Sequence, residues 1–518
     1  MGAIFAVSSS LFSRCIFRSA AEFTTMTLSC RNTNETLHRR GREVLTEYLH
    51  SGGVSSVYKP AANRNDEPVI PAPELFQHKA LAEEKSSTAG LPTVSECAIH
   101  LELLETFFVL REKILRSDDI DKAMGISRKR ETKTGYSGDT KTLKDDTFET
   151  RRREKWPKYV EFAVARFLAW RAELSGMKRP EDIASFRYNL PSLDVLMVWH
   201  AFLLNPLLFN KHCRTELIYD LPFPWQRIHD CINSRDWSFQ LPADDTTQTT
   251  PLFDLFTNWE ALVPNASCTL PSATRTTRTS IFTTLAPKST TPTGPSLLLP
   301  AFTFTSCPSP ATVASLPTPL TQHTAMFRAI TTNPTTGALA TALRDAVIRQ
   351  TSFIDKMNSN LWIRSPSVSG TLRRAIERYS NFLLLMRRNP GTMLVPTLDI
   401  DLAWHTHQCA GRGYVVSVKE RVGRFVNHDD DLEKGTLDSG SGDTRRLWRL
   451  GFGGEYRRCG CWDCEALVEE LEIEGKEKGG RPDMPALAKR VDEKVGYYRA
   501  VEAARRKGRA LPMRPKGL

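Results

Sequence analysis

The chain has 518 residues, 40% of them hydrophobic and 25% charged, a globular composition that excludes a wholly disordered or collagen-like chain and leaves room for several domains. The net charge of +11 sits in two stretches. Eleven Lys/Arg stand against six Asp/Glu between Gly125 and Lys158, and six Lys/Arg without an acid run from Arg505 to Leu518. The remainder is neutral, so no extended basic groove for nucleic acid is encoded.

Residues 1–90 read as a mostly irregular leader. Pro60, Pro68, Pro71 and Pro73 break any long period, and the first 25 residues hold one acid, Glu22, beside Arg14 and Arg18, a transit-peptide-like composition that a plain disordered leader shares. Residues 91–260 form a first helical block. Across Cys97 to Leu115, the residues Leu101, Leu104, Phe108 and Leu115 make one stripe with Glu and Arg opposite. Arg128 to Glu154 is charged and Gly/Ser/Thr-rich and reads as a loop, after which a helix from near Pro157 turns Phe162, Phe167 and Trp170 inward. The most apolar run, Leu193 to Phe209, contains Asp194, His200 and Asn205-Pro206, so no membrane span is expected.

Between Ala261 and Arg344, 84 consecutive residues lack Asp and Glu and are dominated by Thr, Pro, Ser and Ala. Such a segment buries too little apolar surface to offset chain entropy and reads as a disordered linker over 261–344, or as a retained non-coding segment. Charge and helical period return at Asp345, so 345–512 forms a second helical block. The expected fold is mainly α: two helical blocks separated by that linker.

The blocks share an internal match at an offset of 205 residues: Pro191-Ser-Leu-Asp-Val-Leu-Met-Val-Trp199-His200 against Pro396-Thr-Leu-Asp-Ile-Asp-Leu-Ala-Trp404-His405. Each follows a helix with an Arg-aromatic pair, Arg166-Phe167 or Arg378-Tyr379, which suggests a duplicated helix-turn-helix unit. Pro and an acid suit a helix start, making Asp194, Trp199, His200, Asp399 and Trp404 structural Trp-His units. In the second copy Asp401 and His407 replace Leu196 and Phe202. Asp401 and His405 lie four apart on one helical face and form a carboxylate-histidine pair. His405 and His407 lie roughly 200° apart around a helix and cannot share one ion on a straight one.

Two clusters follow, Asn427-His428-Asp429-Asp430-Asp431 and Cys459-Gly-Cys461-Trp-Asp-Cys464-Glu465. Three thiols in six residues suggest zinc or another thiophilic ion, with His428, His407, Cys409 or Asp429 as a fourth ligand. Asp401, His405, His407, His428, Asp429, Cys459, Cys461 and Cys464 are therefore the candidate metal or polar site, with zinc or iron as the cofactor.

The segments FIDKMNSNLWIRSPSVSGTLRRAIERYSNFL, VPTLDIDLAWHTHQ, HDD at 428–430 and EYRRCGCWDCEA resemble the fungal branch of the glycine-rich domain-containing protein-like family. CAIHLELLETFFVLR and LPSLDVLMVWHAFLLNP resemble its N-terminal half. The resemblance implies a predominantly helical fold and carries no established activity. This chain departs from plant relatives in lacking their glycine-rich tail and RNA-binding elements.

Two functions compete. One is a non-enzymatic helical interaction or scaffold module with a structural metal site. The other is a metal-dependent enzyme, zinc or non-haem iron, centred on the second block. A protein partner is expected ahead of nucleic acid. The eleven cysteines, odd in number and without regular pairing, point to a reducing, cytoplasmic location.

Overall fold

The computed structural model describes residues 33–51, 58–77, 90–129, 131–134, 140–143, 145–176, 190–241, 331–333, 336–428, 434–477 and 482–518. The described chain is mainly helical. In order, the helices are α1 (Thr33–His50), α2 (Val94–Arg116), α3 (Asp118–Ala123), α4 (Phe148–Arg153), α5 (Lys155–Gly176), α6 (Leu193–Leu203), α7 (Pro206–Cys213) and α8 (Trp225–Cys231). They continue as α9 (Gly337–Asn360), α10 (Val368–Arg388), α11 (Leu398–Gln408), α12 (Arg412–Val422), α13 (Lys434–Phe452), α14 (Trp462–Glu477) and α15 (Met484–Arg506). Two short antiparallel hairpins pair Glu131–Thr134 with Thr140–Leu143 and Ile232–Asn233 with Ser238–Phe239. No single helix among the described residues is long and apolar enough to cross a membrane.

Local chemistry explains the helix ends. Thr93 and Glu96 form a reciprocal capping box at the start of α2, with Thr93 N–H donating to Glu96 Oε2 at 2.8 Å and Glu96 N–H to Thr93 Oγ1 at 3.1 Å. Asp483 accepts from Ala486 N–H at 3.2 Å to open α15. Helix α12 stops at Gly423, whose φ of +83° is a left-handed conformation that suits glycine.

The chain divides into two compact units whose boundaries cut across the two sequence blocks. One comprises residues 1–109, 200–240 and 349–518. Its central helix is α10, which buries Leu372, Ala375, Ile376, Tyr379, Phe382, Leu383 and Met386 at helical spacing and packs against α11, α12, α13 and α14. Helices α1, α14 and α15 pack on one another in the same unit.

The other unit comprises residues 110–199 and 241–348. Phe162, Phe167 and Trp170 are buried on α5, as expected, and Trp170 packs on Trp199 with ring centroids 5.3 Å apart. Arg166 pairs with Asp194. Lys155, fully buried, is neutralised by Asp121 at 2.6 Å.

Several expectations need correction. The leader is not irregular throughout: α1 occupies Thr33–His50, with Gly41 so close to Leu467 that a Cβ would lie 3.0 Å from a methyl carbon. The 128–154 segment holds a hairpin and helix α4 rather than a plain loop. Residues 242–330, most of the expected linker, lie outside the described residues, but α9 begins at Gly337, inside the acid-free stretch. Absence of acids does not prevent a helix rich in Ala and Leu. Nor is α2 polar on one side, since Glu102 and Glu105 are buried with its leucines.

Candidate metal centre

Helix α11 belongs to the first unit, and all of Leu402 to Gln408 is buried. A helix enclosed on nearly all sides is normally apolar, yet this one carries His405, Thr406, His407 and Gln408. Each buried polar group therefore needs a partner. Arg378 of α10 fixes the start of the helix: its Nε donates to Asp399 Oδ2 at 2.6 Å, and its other nitrogen bonds reach Thr397 Oγ1 at 3.0 Å and Tyr456 O at 2.7 Å.

Asp401 and His405 meet as their four-residue spacing requires, Oδ1 to Nε2 at 3.4 Å. The third member comes from the loop after α12. His428 Nε2 lies 3.2 Å from Asp401 Oδ1 and 3.3 Å from His405 Nε2. Trp404 positions that loop: its Nε1–H donates to Tyr414 Oη at 3.0 Å, and the Tyr414 hydroxyl donates to Val426 O at 2.9 Å. The His428 ring stands edge-on to Trp404, centroids 4.8 Å apart, and Phe353 packs on His405 at 4.3 Å. The side chains of His405 and His428 are 2% and 9% exposed and that of Asp401 21%, so the site opens on the carboxylate side.

Three ligand atoms thus form a nearly equilateral triangle with sides of 3.2, 3.3 and 3.4 Å. An ion ~2.0–2.1 Å from each corner would see them at roughly 105–110°, close to tetrahedral. Burial pushes the Asp401 carboxyl up, but the His405 and His428 rings outweigh it and hold it below the ordinary carboxylate range.

A second histidine pair lies in the same unit. Thr406 uses its only hydroxyl proton on Leu402 O at 2.8 Å, so at 2.9 Å from His100 Nδ1 it can only accept. His100 then carries its proton on Nδ1. Its bare Nε2 accepts from His200 Nε2–H at 2.8 Å, since burial keeps both rings neutral and takes His200 down to about 3. The partner of His200 in the first Trp-His unit is thus a second imidazole.

The remaining sequence candidates separate. His407 turns to Tyr379, Nδ1 to Oη 3.0 Å, and burial with the Arg421 charge lowers it to about 3. It faces a cavity of about 1070 Å³ lined also by Thr406, Trp225, Arg387 and Arg421, which none of Asp401, His405 and His428 lines. Cys459, Cys461 and Cys464 form their own group, with Cys459 and Cys461 Sγ 3.4 Å apart. Hydrogen bonds from its two neighbours lower the Cys461 thiol, and the same sharing raises Cys464. His428 and His407 are engaged elsewhere, Cys409 does not join the group, and Asp429 lies outside the described residues. The expected fourth ligand of the thiol site is therefore not found among the described residues. Asp194, Trp199, Asp399 and Trp404 hold the starts and cores of α6 and α11. Sequence reasoning missed His100, a lone histidine in an apolar stripe with no local signal.

Residues 318–416 match the family described as glycine-rich domain-containing protein-like. The match covers α10 and α11 with Asp401, His405 and His407, begins inside the expected linker, and stops before His428 and the thiols. The chain is 38% identical to glycine-rich domain-containing protein 2 and 37% identical to glycine-rich domain-containing protein 1, both of Arabidopsis thaliana, over 97 residues. That stretch is 17% of this chain and 12% of each relative, so the chain spans about an eighth of the length of the curated relatives it matches. No solved structure matches.

Proposed function

We propose that this protein is a non-enzymatic helical module that takes up one divalent ion, zinc by geometry, on Asp401, His405 and His428. The triangle of ligand atoms carries the reading: its sides fit a tetrahedral ion better than the ~90° angles of an octahedral iron site. The ion would tie the loop after α12 to α11. A metal-dependent enzyme ranks second because the cavity on α11 is lined by His407 and not by the triad, so the ion would not meet that space. The fungal branch and the duplicated unit remain part of this reading, supported by the motifs and by the Arg-Asp pair at the start of each unit.

A protein partner is favoured over nucleic acid because several of the basic residues are paired locally. Arg151 pairs with Asp145, Arg152 with Asp118 and Asp121, Lys158 with Glu161, and Arg505 and Arg506 with Glu502. A cytoplasmic location is proposed on the free cysteines Cys97 and Cys409. The test is elemental analysis of the full chain after dialysis against zinc. His428→Ala and Asp401→Asn should each lose one equivalent relative to wild type. Unchanged zinc content in both variants would overturn the proposal.

A further inference from the structure

We infer that Cys459, Cys461 and Cys464 form a second, separate metal seat, a three-thiolate site for a thiophilic ion such as zinc, completed by water or an external ligand. It is independent of the Asp401, His405 and His428 reading.

The turn that carries the thiols is built from one short segment. Residues 459–461 precede α14, and Cys464 stands in its first turn, so that segment supplies all three sulfurs. The turn is pinned from both sides. Trp362 Nε1–H donates to Gly460 O at 2.6 Å, and Trp462 Nε1–H donates to Asn360 O at 2.9 Å. Position 460 needs glycine, because a Cβ there would lie 2.8 Å from the Trp362 ring. A segment held this closely does not need to reorganise to present its thiols.

The sulfur geometry matches. All three Sγ atoms lie within 4.8 Å of one another, with the Cys459 to Cys461 separation at 3.4 Å. Thiolates ~2.3 Å from a tetrahedral zinc are spaced ~3.8 Å apart, inside that range. Cys461 and Cys464 are buried and Cys459 is half-buried, so the group is shielded but has one accessible side. No other His, Cys, Asp or Glu among the described residues belongs to the group. An S3 donor set is soft where the Asp401, His405 and His428 set is not, so the two seats differ in metal preference. Bound metal would clip the turn to α14 and stabilise the native state by mass action.

The experiment uses the full chain, reduced and stripped of metal. Cobalt(II) is added stoichiometrically and the near-ultraviolet thiolate-to-cobalt charge-transfer band is followed, a signal that nitrogen and oxygen ligands do not give. The band should appear, be displaced by zinc, persist in His405→Ala and vanish in Cys459→Ser and Cys461→Ser. Because a cysteine variant could fail to fold, a second measurement uses wild type alone. Peptide-resolved alkylation of Cys459, Cys461 and Cys464 should slow roughly tenfold or more with zinc. The proposal is overturned by an absent band, by alkylation rates that zinc leaves unchanged, or by a Cys461–Cys464 disulfide in protein kept reduced. Loss of the band in His405→Ala would show the two seats to be one site and would overturn it too.

Discussion

Helices α6 and α11 are each eleven residues long, begin with Leu-Asp and carry Trp-His at corresponding positions, yet one is apolar core and the other holds the polar site. In α6, Leu196 and Phe202 are fully buried. In α11 the corresponding residues are Asp401 and His407, the first opening toward solvent and the second bonded to Tyr379. The two helices share local contacts: an Arg-Asp pair fixes each helix start, Arg166 with Asp194 and Arg378 with Asp399, and a Trp packs on the preceding helix. Two side chains then decide whether a histidine is left among neutral partners, like His200, or set beside a carboxylate, like His405. A site of this kind costs stability only where the fold leaves its polar groups unpaired.

The largest break in the comparison should come from forcing the second pattern onto the first helix. Leu196→Asp buries a carboxylate at a fully enclosed apolar position and should cost about 4 kcal/mol or more, or prevent folding. Urea denaturation would decide, and a loss under about 1 kcal/mol would mean that α6 tolerates the polar pattern.

Trp404→Ala should cost ~3–5 kcal/mol through lost burial and packing. It should also release His428, because Trp404 Nε1 and Tyr414 Oη form the chain that reaches Val426 O. Thermal unfolding and zinc content measured together would show both effects. An unchanged melting temperature would place Trp404 outside the core.

A smaller effect separates the two histidines by pH. His200 is held neutral, at about 3 against an ordinary value of 6.5. Between those values the unfolded chain binds a proton that the native state refuses. Stability contributed by neutral His200 is therefore complete above pH 6.5 and falls as the pH drops toward 3, by up to about 1.4 kcal/mol per unit. His200→Gln keeps a donor for His100 without a titrating ring, so unfolding series at pH 7, 6 and 5 should show a shallower acid dependence. An unaltered slope would mean that His200 does not report its burial.

Much of this arrangement is legible from local spacing. The Pro-x-Leu-Asp starts, the inward Trp and the Asp401–His405 pair follow from a period of 3.6 residues, which sequence displays directly. His428 stands out in the sequence only as one residue of an HDD cluster, and its place beside Asp401 is set by a loop 23 residues beyond His405 and by the Tyr414 bridge to Val426, which no local pattern encodes. His100 and His200 are 100 residues apart and meet through tertiary packing. Charge pattern alone makes Glu102 solvent-facing, because it cannot show that His229 Nδ1 lies 2.6 Å from the carboxylate. Helix α1 is masked in the sequence by its many charged residues, although Leu37, Gly41, Leu45 and Tyr48 recur at helical spacing.

Anomalous diffraction at the zinc edge, from crystals of the full chain grown with zinc, tests the central claim most directly. The account predicts a peak ~2.0–2.1 Å from His405 Nε2, His428 Nε2 and one oxygen of Asp401. The same map with no peak there, and with both imidazoles hydrogen-bonded to the Asp401 carboxylate, would contradict it.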